Sequence, residues 1–201
     1  MKKTAKKYYA YFILNTRKHG VTDDWEKCKK IVSGLASARY KGFKTKKEAQ
    51  DWLEHGADYS LKKILHKGIY FDAGTGRGNG VEISVTDEKG KDVLGTILPK
   101  ELINQHGKHL IPGNVTNNYG ELLACKYALI LALREKITHV FGDSNLVIAY
   151  WSKGHIKKEV ASETISLALE VAKLRREFEA RGGLIAHISG DDNPADLGFH
   201  K

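Results

Sequence analysis

The pattern of apolar and polar positions divides the chain into a short first part and a longer second part. The first part alternates aromatic or β-branched runs, typical of strands, with short amphipathic segments that carry capping residues. Thr22 or Asp23 is expected to cap its first helix, and Thr45 with Glu48 forms a capping box for the second. The result is a ββα-like or βαβα module with a strand over 8–14, a turn over 15–20, a helix over 25–32, a strand over 38–43 and a helix ending at residue 53.

The second part has the pattern of an α/β domain. Its strands are predicted over 68–72, 81–86, 92–98, 137–141 and 184–188, with a hairpin turn at 87–90 and a loop over 99–115. Its helices are predicted over 119–136, 146–151 and 161–181, followed by a short final helix that Asn193 caps. Three antiparallel strands followed by parallel crossovers give a mixed five-stranded sheet with helices on both faces.

A polar stretch separates the two parts. We predict a first domain over 1–58, a short linker over 59–67 and a second domain over 68–201. Leu61, Ile64 and Leu65 in the linker have helical spacing, which favours a brief helix over a flexible tether.

Charge distinguishes the first domain. The 201 residues carry a formal net charge of +9, and residues 1–58 alone hold 14 Lys/Arg against 7 Asp/Glu, a net +7. A basic segment with interleaved aromatic residues favours a polyanionic partner, above all nucleic acid. The alternative is a lysine-rich surface that only contacts water.

Other bulk properties exclude several classes of protein. No run of about 18 apolar residues is present, so no membrane span is predicted. The lysine-rich N-terminus lacks the apolar core of a secretory signal, which favours a cytoplasmic location. Cys28 and Cys125 lie in apolar helical patterns, where two buried thiols are favoured over a disulfide or a metal site. No feature implies a protein partner.

Four carboxylates of the second domain occupy related positions. Asp72 and Asp143 lie at the ends of predicted strands, and Glu121 and Asp196 fall in the first turns of predicted helices. Strand C-termini form the ligand crevice of open α/β sheets, so the four are expected to meet there. Each acid taken singly is explained better as a cap, but the joint pattern favours a common site.

Such a cluster requires a cation. Neighbouring carboxylates repel and raise each other's pKa unless positive charge lies between them. Sites built from oxygen ligands select Mg²⁺ or Mn²⁺, and two such ions can bridge a phosphodiester. The four acids therefore predict a site for two Mg²⁺ ions, for which Mn²⁺ can substitute.

The segments around these acids closely resemble the signatures of the type 1 ribonuclease H catalytic domain. Asp72 stands where the family has its first-strand Asp. The remaining matches are Thr116-Asn-Asn-Tyr-Gly-Glu-Leu-Leu-Ala, Gly142-Asp-Ser and Asn193-Pro-Ala-Asp-Leu. The resemblance covers 68–201. It implies a ribonuclease H-like fold and a metal-dependent endonuclease that cleaves the RNA strand of RNA–DNA hybrids, with Asp72, Glu121, Asp143 and Asp196 as catalytic metal ligands.

The chain departs from the family pattern in two places. Ala73-Gly74-Thr75 stands where the family often has Gly-Ser, and the chain stops soon after Asp196, so a short last helix is expected. The family also has an auxiliary His or Glu before the last Asp. Asp192 is included in the catalytic set for this role, in competition with His187, and Asp191 is a weaker option.

The first domain resembles the hybrid-binding domain that precedes the catalytic domain in many type 1 ribonucleases H. The matching segments are Tyr8-Tyr-Ala, the stretch from Thr22 to Cys28, Ala38-Arg-Tyr-Lys-Gly-Phe-Lys-Thr and Glu48-Ala. The resemblance implies duplex contacts by Tyr9, Trp25, Tyr40 and Lys41. Aromatic faces suit stacking on the DNA strand, and lysines neutralise phosphates. For Trp25, a place in the core is an equally good alternative.

The catalytic-domain resemblance also implies contacts to the duplex. Asn117 would contact RNA 2′-hydroxyl groups, and Thr116 and Asn118 would line a pocket for a DNA phosphate. Gly74, with the glycines after it, would permit backbone contacts to the RNA strand. The alternative for 116–118 is helix capping, which these residues must partly perform in any case.

The sequence thus predicts an endonuclease that hydrolyses the RNA strand of RNA–DNA hybrids and leaves 5′-phosphate and 3′-hydroxyl ends. An enzymatic alternative is a strand-transfer or Holliday-junction enzyme on the same fold, because fold does not fix function. The non-enzymatic alternative is a hybrid-binding protein without catalysis, and the presence of all four acids argues against it.

Deleting residues 1–58 should weaken binding to RNA–DNA hybrid and reduce its salt sensitivity, because phosphate contacts by lysines release counterions. Saturating hybrid should largely restore turnover. Titrations of the full and truncated chains at several salt concentrations measure the effect. Equal affinities at every salt concentration would contradict it.

Overall fold

The structure is a computed structural model that describes residues 7–59, 65–75, 78 and 80–198. The chain forms two units, Met1–Lys63 and Ile64–Lys201. The linker residues Leu61 and Ile64, for which a brief helix is predicted, lie outside the described residues. The domain limits at 58 and 68 stay predictions.

The first unit is a small α+β domain, as predicted. Its antiparallel sheet has the strand order β2-β1-β3, and its helices are α1 and α2. Ala10 of β1, Ala49 and Trp52 of α2, and Ala57 form its buried cluster. The elements are β1 (Tyr8–Ile13), β2 (Lys18–Thr22), α1 (Trp25–Val32), β3 (Ala38–Phe43) and α2 (Lys46–Glu54).

Two local predictions for this unit are wrong. The turn predicted over 15–20 contains the start of β2, which the pattern misses because Lys18 and His19 are exposed and show no alternation. Asp24, rather than Thr22 or Asp23, caps α1 by accepting the N–H groups of the next turn. The capping box of Thr45 at α2 is confirmed.

The second unit contains the predicted mixed five-stranded sheet with helices. Its strand order is β6-β5-β4-β7-β8, with antiparallel pairing from β6 to β4 and parallel pairing from β4 to β8. None of the helices in the described part of the chain combines the length and apolar content needed to cross a membrane. The elements are β4 (Ile69–Gly74), β5 (Val81–Asp87), β6 (His109–Ile111), α3 (Asn117–Glu135), β7 (His139–Gly142), α4 (Asn145–Ala149), α5 (Ser162–Ala180) and β8 (Leu184–His187).

The third strand of this sheet is not the predicted one. Residues 92–98 make a single bridge to β5 and then form a 3-10 turn, while His109–Ile111, inside the predicted loop, pairs with Val81–Ile83. The apolar residues of the wrongly assigned stretch have helical spacing and pack into the core from irregular chain. They are Val93, Leu94, Ile97 and Leu98.

The core of the second unit lies on one face of the sheet, beneath α3 and α5. The opposite face carries a smaller cluster of Tyr70, Phe141 and Ala195. The final helix predicted after Asn193 is wrong. The side-chain amide of Asn193 donates to the carbonyl of Phe71, and its side-chain oxygen accepts the N–H of Ala195. The chain after Asn193 is therefore held against β4 and does not continue as a helix.

Gly120 allows α3 to lie close to the sheet. A Cβ atom there would come within 2.3 Å of a methyl carbon of Val81 and 3.0 Å of Ala73. Gly120→Ala should therefore lower the free energy of unfolding by about 1–3 kcal/mol, since packed side chains cannot make room without strain. Thermal unfolding measures the change. Gly95→Ala is the control, because nothing lies within 4 Å of a Cβ there. Equal melting temperatures for both variants would contradict the close approach.

Candidate active site

The first carboxylate of the site belongs to the middle of the sheet. Asp72 lies in β4, whose residues are all buried and which has β5 and β7 on either side. Only 7% of Asp72 is exposed. Its Oδ2 accepts the backbone N–H of Leu197 at 3.0 Å, so the returning C-terminal segment fixes the carboxylate.

The second carboxylate comes from the first turns of α3. The hydroxyl of Thr116 caps this helix by accepting the N–H of Tyr119. Gly120 then brings the helix close to β4, and Glu121 follows it. Glu121 is 5% exposed, and its Oε2 is buried without a hydrogen-bond partner.

The third carboxylate lies directly after β7. Parallel pairing of β7 with β4 puts the C-terminal ends of both strands at one edge of the sheet, so Asp143 comes near Asp72. Gly190 makes room for it, because a Cβ at that position would lie 2.9 Å from Oδ2 of Asp143. One oxygen each from Asp72, Glu121 and Asp143 lie within 4.8 Å of one another.

Burial and mutual repulsion perturb these acids. Burial, followed by the charges of Asp72 and Asp143, raises the pKa of Glu121 to about 9. Burial also raises the pKa of Asp72 to about 6, against the opposing backbone hydrogen bond from Leu197 and with a smaller contribution from Asp143. Without a cation, Glu121 therefore retains its proton at neutral pH.

The donor set fits a hard divalent cation. Carboxylate oxygens are the ligands that Mg²⁺ prefers, and three of them converge here with one Glu121 oxygen lacking any other partner. Positive charge at this point would offset the burial and repulsion that raise the pKa of Asp72 and Glu121. Asp72, Glu121 and Asp143 are the residues that would hold it.

Asp196 is not among the three converging acids. It lies in the turn that begins at Asn193, where its N–H donates to the carbonyl of Asn193, and its neighbour Leu197 binds Asp72. Asp192 ends the 3-10 turn that starts at Gly190, beside Asp143. Its competitor His187 lies at the end of β8, with Nε2 3.1 Å from the backbone oxygen of Asp143.

The residues with an expected role in duplex binding begin α3 and end β4. Thr116 and Asn118 are exposed, and Asn117 is half-buried with an Oδ1 that has no hydrogen-bond partner. Gly74 is the last residue of β4, two positions beyond Asp72. The three residues at the start of α3 lie shortly before Glu121 in the sequence, and Gly74 lies shortly after Asp72. Of the three, Thr116 makes the side-chain capping bond.

Three aromatic residues of the first unit form a cluster at its surface. The ring of Trp25 lies 5.2 Å from that of Tyr9 and 5.8 Å from that of Tyr40, between ring centres. Trp25 is 36% exposed and is not part of the buried cluster, which argues against a core role. Lys41 is exposed next to Tyr40, with its Nζ 5.8 Å from the ring centre of Phe43.

Sequence reasoning missed two positions that shape the site. Asn193 appears in the predicted motif only as a cap, but its buried side chain ties the C-terminal segment to β4. Leu197 contributes a backbone N–H, for which a side-chain pattern holds no signal. Both roles depend on contacts between the C-terminal segment and β4, which are far apart in the sequence.

Comparison with known proteins gave a family model and solved structures to which the chain is similar. Residues 7–53 match a family model described as the Ribonuclease H1 N-terminal domain. The chain is similar to a crystal structure of RNase H1 from the halophilic archaeon Halobacterium salinarum NRC-1, with 20% identity, coverage of 64% of this chain and 89% of that chain, and a TM-score of 0.41. It is also similar to the N-terminal RNase H domain of a Mycobacterium tuberculosis protein, with 18% identity, coverage of 66% and 94%, and a TM-score of 0.37.

The family model bears out the predicted resemblance to ribonuclease H1 for the N-terminal segment. Its match ends at residue 53, before the unit that contains Asp72, Glu121 and Asp143. The function of the second unit therefore has to be argued from its own side chains.

Glu121→Gln should stabilise the protein in the presence of a chelator. The raised pKa values mean that the folded protein keeps protons that the unfolded chain releases above about pH 4. Wild-type stability should therefore fall as pH rises from about 4 to about 9, the value for Glu121. At pH 8 the variant should gain on the order of 3 kcal/mol in free energy of unfolding, and at pH 4 almost nothing.

Urea unfolding across this pH range measures the effect. Glu101→Gln, at an exposed position, is the matched control and should follow the wild type. Added Mg²⁺ should stabilise the wild type more than Glu121→Gln. A wild-type stability that rises between pH 5 and pH 8 in chelator would contradict the burial of these acids.

Proposed function

We propose that the protein is an endonuclease that hydrolyses the RNA strand of RNA–DNA hybrids and leaves 5′-phosphate and 3′-hydroxyl ends. The observation that carries the proposal is the convergence of Asp72, Glu121 and Asp143 at the C-terminal edge of a mixed sheet. The match of residues 7–53 to the Ribonuclease H1 N-terminal domain supports hybrid as the substrate, since that domain implies hybrid binding.

The acids are proposed to hold two Mg²⁺ ions. When bound there, the ions would supply the positive charge that activates a water for in-line attack at phosphorus and stabilises the leaving oxygen. The chain's own part is to hold the carboxylates in place. The N–H of Leu197 orients Asp72, the capped start of α3 fixes Glu121, and the end of β7 presents Asp143. Mn²⁺, with the same preference for oxygen ligands, is the proposed substitute.

Asp196 and Asp192 are proposed to complete the catalytic set. Asp196 directly precedes Leu197, whose N–H binds Asp72, so the turn that carries Asp196 contacts the site through its backbone. Asp192 sits in the turn beside Asp143. His187, bonded to the backbone oxygen of Asp143, is the alternative to Asp192 for an auxiliary proton-transfer role.

Selectivity for the RNA strand is proposed to reside at the start of α3. The buried, unpaired Oδ1 of Asn117 is an acceptor for a ribose 2′-hydroxyl, which DNA lacks. Thr116 and Asn118 lie at the N-terminus of a 19-residue helix, where backbone N–H groups favour a phosphate. Gly74 has no side chain to obstruct the RNA backbone.

Affinity is proposed to come largely from the first unit. The exposed rings of Trp25 and Tyr40, with the half-buried ring of Tyr9, offer faces for sugars and bases, and Lys41 offers a charge for a phosphate. A rigid aromatic cluster has little entropy to lose on binding. The function therefore divides between a unit that grips the duplex and a unit that cleaves it.

Asp143→Asn tests the function. The variant keeps the size of the side chain but removes a charge needed to hold the ions, so single-turnover cleavage should fall by several orders of magnitude. Metal-free affinity for hybrid should hold or rise slightly, because one acid fewer repels the phosphates. Labelled RNA–DNA, RNA–RNA and DNA–DNA duplexes, each with and without Mg²⁺, provide the substrates, and Glu101→Gln is the control.

The outcomes separate the alternatives. Near-normal cleavage by a folded Asp143→Asn protein would overturn the metal assignment. Hybrid binding without any cleavage by the wild type would favour a binding protein, and processing of DNA–DNA substrates would favour a strand-transfer enzyme. Melting temperature shows whether the substitution disturbs the fold.

A further inference from the structure

Tyr59 of the first unit makes two hydrogen bonds to the backbone of a single residue. Its hydroxyl donates to the carbonyl oxygen of Tyr40 at 2.9 Å and accepts the N–H of Tyr40 at 2.7 Å. Tyr59 lies outside the residues 7–53 that match the family model. The contact therefore involves a residue outside the part of the chain that the family model matches.

The two hydrogen bonds lie at the free edge of the sheet, which β3 forms. Among the strands that the structure describes, β3 pairs only with β1, so alternate residues of β3 direct both N–H and C=O away from the sheet. Tyr40 is such a residue, because its backbone groups reach Tyr59. Its ring contributes to the aromatic cluster through Trp25.

The segment that carries Tyr59 is itself anchored. Its ring lies 5.5 Å from that of Trp52, whose Nε1 donates to the carbonyl of Asp58. Ala57 is buried, its N–H donates to the carbonyl of Trp52, and its carbonyl accepts from Arg39. Tyr59 itself is 55% exposed, so burial of its side chain contributes little to holding this segment in place.

We propose that Tyr59 is a positioning residue for hybrid binding, acting through Tyr40; this rests on the function proposed above. Its hydroxyl fixes the backbone of Tyr40 and thereby holds the Tyr40 ring beside Trp25 and directs Lys41 towards the duplex. Without these bonds β3 keeps its pairing with β1, but its outer edge at Tyr40 is less restrained and has to be ordered when the duplex binds. The hydroxyl removes that cost in advance, which raises affinity without any contact to nucleic acid.

Tyr59→Phe tests the proposal, because it keeps the ring on Trp52 and removes both hydrogen bonds. Hybrid affinity is measured in the Asp143→Asn background without metal, so that no cleavage interferes. Affinity should fall about three- to tenfold, as expected for the loss of bonds that order a contact residue. Tyr127→Phe, which removes a hydroxyl from the second unit, should leave affinity unchanged.

A double-mutant cycle separates positioning from a general loss of stability. If Tyr59 acts mainly through the Tyr40 ring, then Tyr59→Phe should weaken binding clearly in the Tyr40-containing protein and much less in Tyr40→Ala, where only the effect on Lys41 remains. A general loss of stability would weaken both equally and would overturn the proposal. The melting temperature of each variant is recorded alongside.

The same set distinguishes failure of this proposal from failure of the proposed interface. If Tyr40→Ala and Trp25→Ala weaken binding but Tyr59→Phe does not, the positioning role is wrong and the interface stands. If Tyr40→Ala and Trp25→Ala also bind like the unsubstituted protein, the aromatic cluster does not bind hybrid. The positioning role and the proposed interface are then both wrong.

Discussion

The repulsion among three carboxylates in one small site is the constraint on which the second unit depends. Asp72 and Glu121 are almost fully buried, burial raises the pKa of both, and the charges of Asp72 and Asp143 raise that of Glu121 further. A buried charge without a partner is costly, so the surrounding fold must supply enough packing to hold the acids together. The central strand and the most buried helix of the unit supply it.

The same constraint accounts for several details that lie outside the acids themselves. Gly120 lacks a side chain where α3 meets the sheet, and Gly190 lacks one where the last segment meets Asp143. Asn193 draws that segment onto β4, so that the N–H of Leu197 can bind Asp72. Binding of a cation would convert this stored repulsion into attraction, which is how a destabilising cluster becomes a functional one.

The first unit solves a different problem, which is how to expose aromatic rings without losing order. Its core is small, and Tyr9, Trp25 and Tyr40 lie outside it in contact with one another. Mutual contact restrains their rotamers, and backbone bonds from Tyr59 restrain the edge strand beneath one of them. Exposed side chains can in this way be prepared for a ligand at little cost in binding entropy.

Most elements could be predicted because their signals are local. The capping box at Thr45, the apolar run of β4 and the nearly all-round apolar pattern of α3 each specify a structure through neighbouring residues. The acids at 72, 121 and 143 could be grouped for the same reason, since motifs and strand ends fix their positions along the chain. Their convergence then follows from the parallel pairing of β4 and β7.

The sequence by itself determined the class of fold, the basic aromatic first unit and the acids of the candidate site. Only the tertiary structure decided which segment pairs with the edge of β5, because 92–98 and 109–111 are both short and apolar enough to do so. It also decided that Asp196 is not among the three acids whose oxygens lie within 4.8 Å of one another and that Tyr59 contacts Tyr40. These outcomes depend on backbone groups of residues distant in sequence, and side-chain patterns carry no information about backbone partners.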